Sequence, residues 1–206
     1  MTKKALLGSV VAAIMVAGLS RTASAAAPRQ GDTYATIDAH LGYGISTNDD
    51  VAANANPFGF QLGLRGGGTF GPGVYVGANF DYFFGEDRGQ SVTILGVTAG
   101  GSASVNTYHF LAEVGYDAWI YRSGVLRPKL GLGIGWLHFG GCGGATNIIN
   151  LCGDRTDDGF TLAPGLQFLH FFGMGFLTAE LRYETILVDG PNPSAILMTI
   201  GGGVGF

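Results

Sequence analysis

Apolar and polar residues alternate with a period of two in eight stretches, which together cover most of the chain after residue 33. In one of them, Val76, Phe80 and Tyr82 share one face, whereas Asn79 and Asp81 share the other. Successive side chains of a β-strand point to opposite sides, so each stretch predicts a strand with one apolar and one polar face. The predicted strands are Tyr34–Tyr43, Phe58–Gly68, Val74–Phe84, Thr107–Trp119, Val125–Leu137, Phe160–Phe171, Phe176–Ile186 and Ala195–Phe206.

The connections between these strands alternate between long and short. Tight turns, each containing the Gly that short hairpins favour, are predicted at Thr69–Gly73, Ile120–Gly124 and Phe172–Gly175. The long connections are residues 45–57, 85–106, 138–159 and 187–194. The second of them can also continue its flanking strands into a hairpin around Gly96. Antiparallel strands in this order place every long connection at one end of the sheet and every tight turn at the other.

This arrangement is typical of a barrel that crosses a membrane. Outer-membrane barrels have an even number of antiparallel strands of about ten residues, with apolar residues outward, polar residues inward and loops longer on one side. A soluble sandwich would not normally expose so apolar a face. The sequence therefore predicts an all-β fold, an eight-stranded antiparallel transmembrane up-and-down β-barrel.

Aromatic residues gather near the ends of the predicted strands, where the two membrane–water interfaces would lie. Toward the long connections they are Tyr43, Phe58, Phe84, Tyr108, Trp136 and Phe160. Toward the turns they are Tyr34, Phe70, Trp119, Tyr121, Phe171 and Phe172. We expect these two groups to form outward-facing girdles.

The first 25 residues have the pattern of a secretory signal peptide. Lys3 and Lys4 are followed by an uncharged apolar run from Ala5 to Leu19 and by the small residues Ala23-Ser24-Ala25. The run is shorter than the roughly 20 residues that a membrane helix needs. We expect cleavage after Ala25, with Ala27 as the alternative, so that residues 26–206 form the barrel domain.

Composition and charge argue against two other classes of protein. Glycine accounts for 37 of 206 residues, aromatic residues for 12% and charged residues for only 13%. The aromatic content argues against a disordered linker. Removal of the signal peptide would leave 8 basic residues against 15 acidic ones, which argues against a nucleic-acid partner.

The last predicted strand, Ile196-Leu-Met-Thr-Ile-Gly-Gly-Gly-Val-Gly-Phe206, alternates apolar residues and ends in Phe. In this respect the chain resembles the small eight-stranded outer-membrane barrels of the OmpA/OmpX type. The resemblance implies the outer membrane of a Gram-negative bacterium, with lipid around the barrel, both termini in the periplasm and four loops outside. It also implies that the barrel-assembly machinery recognises the C-terminal strand, with Phe206 as its insertion signal.

The polar faces bring many charged residues into the predicted lumen, which in an eight-stranded barrel is only wide enough for side chains to fill. The acids are Asp38, Asp81, Glu113, Asp117, Glu180 and Glu184, and the bases are Arg65, Arg127, Lys129 and Arg182. Unpaired buried ions are costly, so we expect ion pairs that plug the lumen. The turn at Ile120–Gly124 brings Arg127 near Asp117. A proton or ion path along the same charges is the alternative.

Cys142 and Cys152 lie in one long connection of a chain that we expect to be exported to an oxidising compartment. We therefore predict a disulfide between them. The connection also carries Asp154, Asp157 and Asp158, but their spacing matches no calcium-loop template. We expect a solvated acidic loop, which can serve as an adhesive or receptor surface.

Other motifs point to no cofactor, metal site or catalytic site. Gly66–Gly71 satisfies a dinucleotide-binding pattern, but the following Pro72-Gly73 prevents the helix that such a site needs. The four histidines, His40, His109, His138 and His170, lack metal-ligand spacing and a neighbouring Ser. Lipid A deacylase barrels resemble the chain at Arg182-Tyr183, but their following His and Ser are absent here.

Three functions follow from these expectations. The first is a structural and surface-interaction role without enzymatic activity, with a plugged lumen and loops that meet an extracellular ligand or surface. The second is a conduit for small apolar solutes, similar to the OmpW type, motivated by inner-face glycines and by Val92, Ile94, Leu95 and Val97. A lipid A-modifying barrel enzyme is the third.

Overall fold

The computed structural model of the chain describes residues 27–47, 56–85, 88–94, 97–145, 151–188 and 192–206. Side chains within the strands are described except at 88–94, 97–103, 141–145 and 151–155. The expected signal peptide, residues 1–25, lies outside the described residues, so its cleavage after Ala25 stays a prediction.

The described residues form β-strands joined by turns and short irregular segments. The strands are β1 (Tyr34–Ser46), β2 (Phe60–Phe70), β3 (Val74–Phe84), β4 (Arg88–Ile94), β5 (Val97–Tyr116), β6 (Ala118–Tyr121), β7 (Gly124–Ala145), β8 (Leu151–Phe172), β9 (Gly175–Leu187) and β10 (Ser194–Gly205). In this part of the chain no helix is long and apolar enough to span a membrane.

The strands pair antiparallel and close into a cylinder. The order around the cylinder is β1-β2-β3-β5-β7-β8-β9-β10, and β10 returns to pair with β1. The other two strands are appendages: β4 forms a hairpin with β5, and β6 follows a break at Asp117 and pairs with the start of β7. The predicted eight-stranded antiparallel barrel is confirmed.

The two sides of the cylinder differ sharply in character. Apolar side chains on the outer side are widely exposed, as at Ile200, where 63% of the residue surface is accessible. The alternate positions point inward and are mostly polar and buried, with Arg127 fully enclosed. This is the alternation that the sequence predicts for a barrel surrounded by lipid.

Glycine is required where the turns reverse the chain. At the β2–β3 turn, Gly71 has a φ of 54° and Gly73 a φ of 126°, and Gly173 at the β8–β9 turn has a φ of 67°. These angles are costly for other residues because a Cβ would meet the following carbonyl oxygen. Because the strands are antiparallel, the predicted tight turns lie together at one end of the barrel.

Two of the predicted long connections are wrong in their extent. Much of 85–106 and 138–159 is strand: the β5–β7 ladder continues to the pair Ala99–Ala145, and the β7–β8 ladder to Gly143–Leu151. β4 and β5 pair as expected for this hairpin, with Ile94 opposite Val97, and Gly96 itself lies outside the described residues. Sequence alternation stops near residue 137 because only the part of a strand that separates lipid from lumen needs one apolar and one polar face.

The predicted girdles are also partly wrong. Phe58, Tyr34 and Phe171 are buried inside the barrel rather than turned outward, and Trp119 packs against the buried Tyr34 and Phe171. Apolar side chains thus form a cluster at each end of the lumen, beside buried polar ones such as Gln61 and Thr107. At the turn end the cluster is Tyr34, Val125, Leu169, Phe171 and Phe176, and at the opposite end it is Phe58, Phe83, Leu137, Ile186, Ala195 and Leu197. We call these the turn-end cluster and the loop-end cluster.

Candidate functional site

The candidate site is the charged middle of the lumen, between the two apolar clusters. All ten charged residues that the sequence assigns to the lumen lie there and are buried, and the most exposed of them, Lys129, shows 6% of its surface. The strand period explains this placement, since Asp38 on β1 and Arg65 on β2 are directly opposite each other and share the inward face.

Nearest the turn end, Asp117 and Arg127 form a bidentate pair. Arg127 Nε lies 2.5 Å from Asp117 Oδ1, and Arg127 Nη2 lies 3.0 Å from Asp117 Oδ2. The hydroxyls of Thr69, at 2.6 Å, and of Tyr34 also donate to Asp117 Oδ2. The guanidinium carbon of Arg127 sits 3.7 Å from the centre of the Tyr75 ring, a cation–π contact. The pair is neutral as a unit.

The next layer is organised by two bases. Arg65 bonds Glu180, and its Nε and Nη1 lie 3.2 Å from Glu113 and 3.8 Å from Asp38. Lys129 Nζ bridges two acids, at 2.7 Å from Glu113 and 3.0 Å from Glu180. Each carboxylate of this layer therefore faces at least one base, which offsets the desolvation that burial imposes.

Toward the loop end, Arg182 and Asp81 form the centre of the network. Arg182 lies 2.7 Å from Asp81, 3.4 Å from Glu184 and 3.7 Å from Glu180, so it joins this layer to the previous one. Asn79 donates a further hydrogen bond to Asp81 at 2.7 Å.

Two histidines belong to the same network, and the sequence analysis did not count them among its charges. His40 Nε2 and His109 Nε2 each lie 2.6 Å from an oxygen of Asp81. Their Nδ1 atoms face two other acids, Asp38 at 3.1 Å and Glu184 at 2.6 Å. The sequence feature that could have identified them is their position on the polar faces of β1 and β5.

Small residues make room for these side chains. A Cβ at Gly63 would collide with the Asp81 carboxylate and the His40 ring, and a Cβ at Gly67 or Gly77 would collide with Tyr75. These glycines are therefore required by close approach, because the lumen of eight strands has no spare width.

The described residues offer no place for a metal ion. Among them, no three His, Cys, Asp or Glu side chains are arranged to hold one. Both ring nitrogens of His40 and His109 already bond carboxylates, which leaves neither ring free to act as a general base.

The remaining predicted site residues lie at the ends of strands. The backbones of Cys142 and Cys152 are direct partners across β7 and β8, while their side chains lie outside the described residues. Phe206 exchanges two backbone hydrogen bonds with Ala35, of 2.7 and 3.0 Å, and so extends the β1–β10 pairing.

Comparison with known proteins agrees with this architecture. The sequence matches the family described as "Outer membrane protein beta-barrel domain" over residues 9–205. Among curated proteins, no sequence matches the chain.

Solved structures include similar barrels. Ail, the attachment invasion locus protein of Yersinia pestis, solved in complex with the heparin analogue sucrose octasulfate, matches with a TM-score of 0.54 at 19% identity, over 85% of this chain and 99% of Ail. A major outer membrane protein from Thermus thermophilus matches with a TM-score of 0.51 at 13% identity, over 84% of this chain and 99% of that protein. At these identities the similarity shows the fold alone.

Proposed function

Because the chain belongs to the outer membrane protein beta-barrel domain family, we propose that it serves the outer membrane as a non-conducting surface-interaction protein. Its barrel is a rigid base, and the projecting ends of β5, β7 and β8 are the part that meets a partner outside the cell. The observation that carries the proposal is the length of these three strands.

β5 has 20 residues, and β7 and β8 have 22 each, whereas roughly 9–11 residues suffice for a tilted strand to cross a membrane. The surplus of about ten residues corresponds to roughly 33 Å of strand at about 3.3 Å per residue. With β4 paired to β5, this surplus forms a four-stranded wall above the barrel, which we call the projecting wall. A raised sheet of paired strands is suited to holding a binding surface away from the lipid.

The filled lumen argues against the conduit. Apolar side chains occupy both of its ends, and ion pairs occupy its middle, so a solute would have to displace both. An enzymatic role lacks support for a related reason, since the two lumen histidines are engaged by carboxylates through both ring nitrogens.

Charge bears on the kind of partner. In sequence, the long connections carry the acidic residues Asp49, Asp50, Glu86, Asp87, Asp154, Asp157, Asp158 and Asp189 against only Arg88 and Arg155. Such an excess of one sign favours cationic partners and repels polyanions. We therefore expect no retention on immobilised heparin at physiological salt, in contrast to the heparin analogue bound by Ail.

The proposal includes the orientation of the barrel in the outer membrane. The three tight turns, both described chain ends and the turn-end cluster share one end, which we assign to the periplasm, and the projecting wall faces outward. Epitope tags test this. A tag in 146–150 should be detected on intact cells and a tag before Pro28 only after permeabilisation, and sequencing of the exported chain should begin at Ala26.

The decisive experiment removes the β7 and β8 half of the projecting wall and keeps the barrel. We would join His138 to Thr156, which are partners across β7 and β8, through an Asn-Gly turn. Cells that carry this variant should lose adhesion to an epithelial monolayer while the heat-modifiable mobility of the barrel is kept. A matched variant with Asn-Gly inserted in the β9–β10 connection should still adhere. Equal adhesion by both variants would contradict the surface role.

Conductance provides the independent test of the closed lumen. The purified chain in planar bilayers should give no stable single-channel openings. Stable openings would favour the conduit instead.

Two further proposals concern a predicted disulfide and the last strand. We propose that Cys142 and Cys152 form a disulfide at the tip of the projecting wall, since backbone partners across antiparallel strands can be bridged. A mass increase after alkylation only in the presence of reductant would support it.

We also propose that the barrel-assembly machinery recognises the strand that ends in Phe206. Deletion of Phe206 should therefore lower the assembled fraction without lowering synthesis.

A further inference from the structure

The histidines in the lumen require more protons than the ordinary ionisation states supply. In the described part of the lumen, two rings make four hydrogen bonds to three carboxylates, and each needs one hydrogen. Two neutral imidazoles supply only two, because each carries a single N–H. Two hydrogens are therefore missing from the usual assignment at neutral pH.

The surroundings of Asp81 fix where two of the hydrogens lie. Within the described residues its carboxylate is approached by Arg182 at 2.7 Å, by Asn79 at 2.7 Å and by Nε2 of both histidines at 2.6 Å. An ionised carboxylate accepts about four such bonds. Asp81 is therefore the acceptor throughout, and both Nε2 atoms carry hydrogen.

The Nδ1 atoms then need the two additional protons. A neutral ring with hydrogen on Nε2 would turn the lone pair of Nδ1 toward Asp38 in one case and Glu184 in the other. Each of these acids also faces a guanidinium, since Arg65 lies 3.8 Å from Asp38 and Arg182 lies 3.4 Å from Glu184. The protons consequently belong on the rings.

The groups packed around each ring agree with this assignment. His40 bonds Asp38 on its own strand and Asp81 from β3, Arg65 from β2 lies 3.8 Å from Asp38, and the uncharged Gly201 of β10 lies close to His40.

His109 meets Asp81 from β3 and Glu184 from β9, and Arg182 hydrogen-bonds Asp81 and lies 3.4 Å from Glu184. From β7 its backbone partner is Gly135. Carboxylates thus outnumber bases at both rings.

The charge count leads to the same result. Among the described residues, the continuous network contains five carboxylates and three bases: Asp38, Asp81, Glu113, Glu180, Glu184, Arg65, Lys129 and Arg182. With neutral histidines it would bury two uncompensated negative charges, which is strongly unfavourable. With both histidines protonated it is neutral.

We propose that the folded barrel is a two-proton binding site: His40 and His109 are both doubly protonated at neutral pH, and folding takes up these two protons from solution. The lumen is then a neutral plug only as long as both protons stay bound.

Nuclear magnetic resonance on the intact barrel tests the proposal directly. The chain has 4 histidines, and His138 and His170 contact hydroxyls of Thr156 and Tyr121 rather than carboxylates. The double variant H138Q/H170Q, labelled with ¹⁵N-histidine and folded in micelles, leaves only the two lumen rings. Both should show hydrogen on both nitrogens at pH 7.5. An unprotonated nitrogen in either ring would overturn the proposal.

The pH dependence of folding provides a second measurement. Unfolded histidines are neutral above about pH 7.5, so the folded state binds two more protons and is destabilised as pH rises. Between pH 7.5 and 8.5 the folded-to-unfolded ratio should fall by up to about a hundredfold. A ratio independent of pH would refute the uptake.

Glu184→Gln sharpens the same experiment. The Gln amide can donate a hydrogen bond to an unprotonated Nδ1 of His109, so this variant needs one proton fewer. The ratio should then fall by at most about tenfold over the same interval. A slope as steep as that of the unsubstituted chain would contradict the assignment of the second proton to His109, and the spectrum of H138Q/H170Q decides the proposal if E184Q does not fold.

Discussion

The barrel wall and the projecting wall are built from the same antiparallel ladders, yet they are surrounded differently. In the barrel, each strand has apolar side chains outside and a packed polar lumen inside. In the projecting wall, β5, β7 and β8 continue beyond the clusters that fill the lumen. We infer that the packed lumen, in addition to strand pairing, determines the stability of this fold. Substitutions should therefore cost most inside the barrel and least in the projecting wall.

The largest effect is expected from a charge in the middle of the lumen. Arg182→Met leaves Asp81 and Glu184 without their shared base and should lower the free energy of unfolding by about 3–5 kcal/mol. Urea titration in micelles measures it. Arg122→Met, which removes the same charge from an exposed turn, should change stability by less than about 0.5 kcal/mol. A similar loss of unfolding free energy in both variants would contradict the expectation that charges in the lumen matter more than charges at the surface.

The turn-end cluster should be nearly as sensitive. Phe171 is 2% exposed and packs against Tyr34, Trp119 and Phe176, so Phe171→Ala should cost about 3 kcal/mol. Its neighbour Phe172 points outward and is 56% exposed, so Phe172→Ala should cost clearly less in the same urea titration. An equal cost would mean that the lipid-facing ring is as important as the enclosed one.

A smaller difference in stability is expected between Ala substitutions of two glycines, one facing the lumen and one facing outward. Gly63→Ala pushes a methyl group into Asp81 and His40 and should cost about 1–3 kcal/mol. At Gly66 the nearest atoms are 3.8 and 3.9 Å from an added Cβ, so Gly66→Ala should be neutral or stabilising by roughly 0.5 kcal/mol. The midpoints of urea unfolding compare them, and the reverse order would be inconsistent with a crowded lumen.

The smallest effect on the barrel is expected at the tip of the projecting wall. Cys142→Ser removes the proposed disulfide but should leave the midpoint of barrel unfolding unchanged. Limited proteolysis on intact cells should instead show faster cleavage within 143–151. A lowered midpoint would show that the projecting wall and the barrel unfold together.

The sequence predicts the barrel wall better than it predicts the strand ends. The eight barrel strands and the inward charges followed from alternation, because lipid and lumen demand opposite residue types. Phe171 and Phe172 show the limit of that signal: both were expected in a girdle, yet adjacent residues of a strand must point to opposite sides. At strand ends either side accepts an aromatic ring, so composition cannot decide between them.

The histidines show a different limit. Alternation placed His40 and His109 on the polar faces, but a histidine is not charged by default and so was left out of the ion count. Only the positions of Asp38, Asp81 and Glu184 around the rings reveal their role. The extent of the projecting wall was likewise missed, because pairing between Gly-rich segments leaves no apolar pattern to read.

The seam between β1 and β10 has a consequence for the order of synthesis. β1 and β10 are neighbours, with Thr36 opposite Gly205, so a chain that lacks β10 could form only an open sheet with two unpaired edges. Such edges recruit other chains readily. The cylinder can therefore close only after β10 has been synthesised and has reached β1.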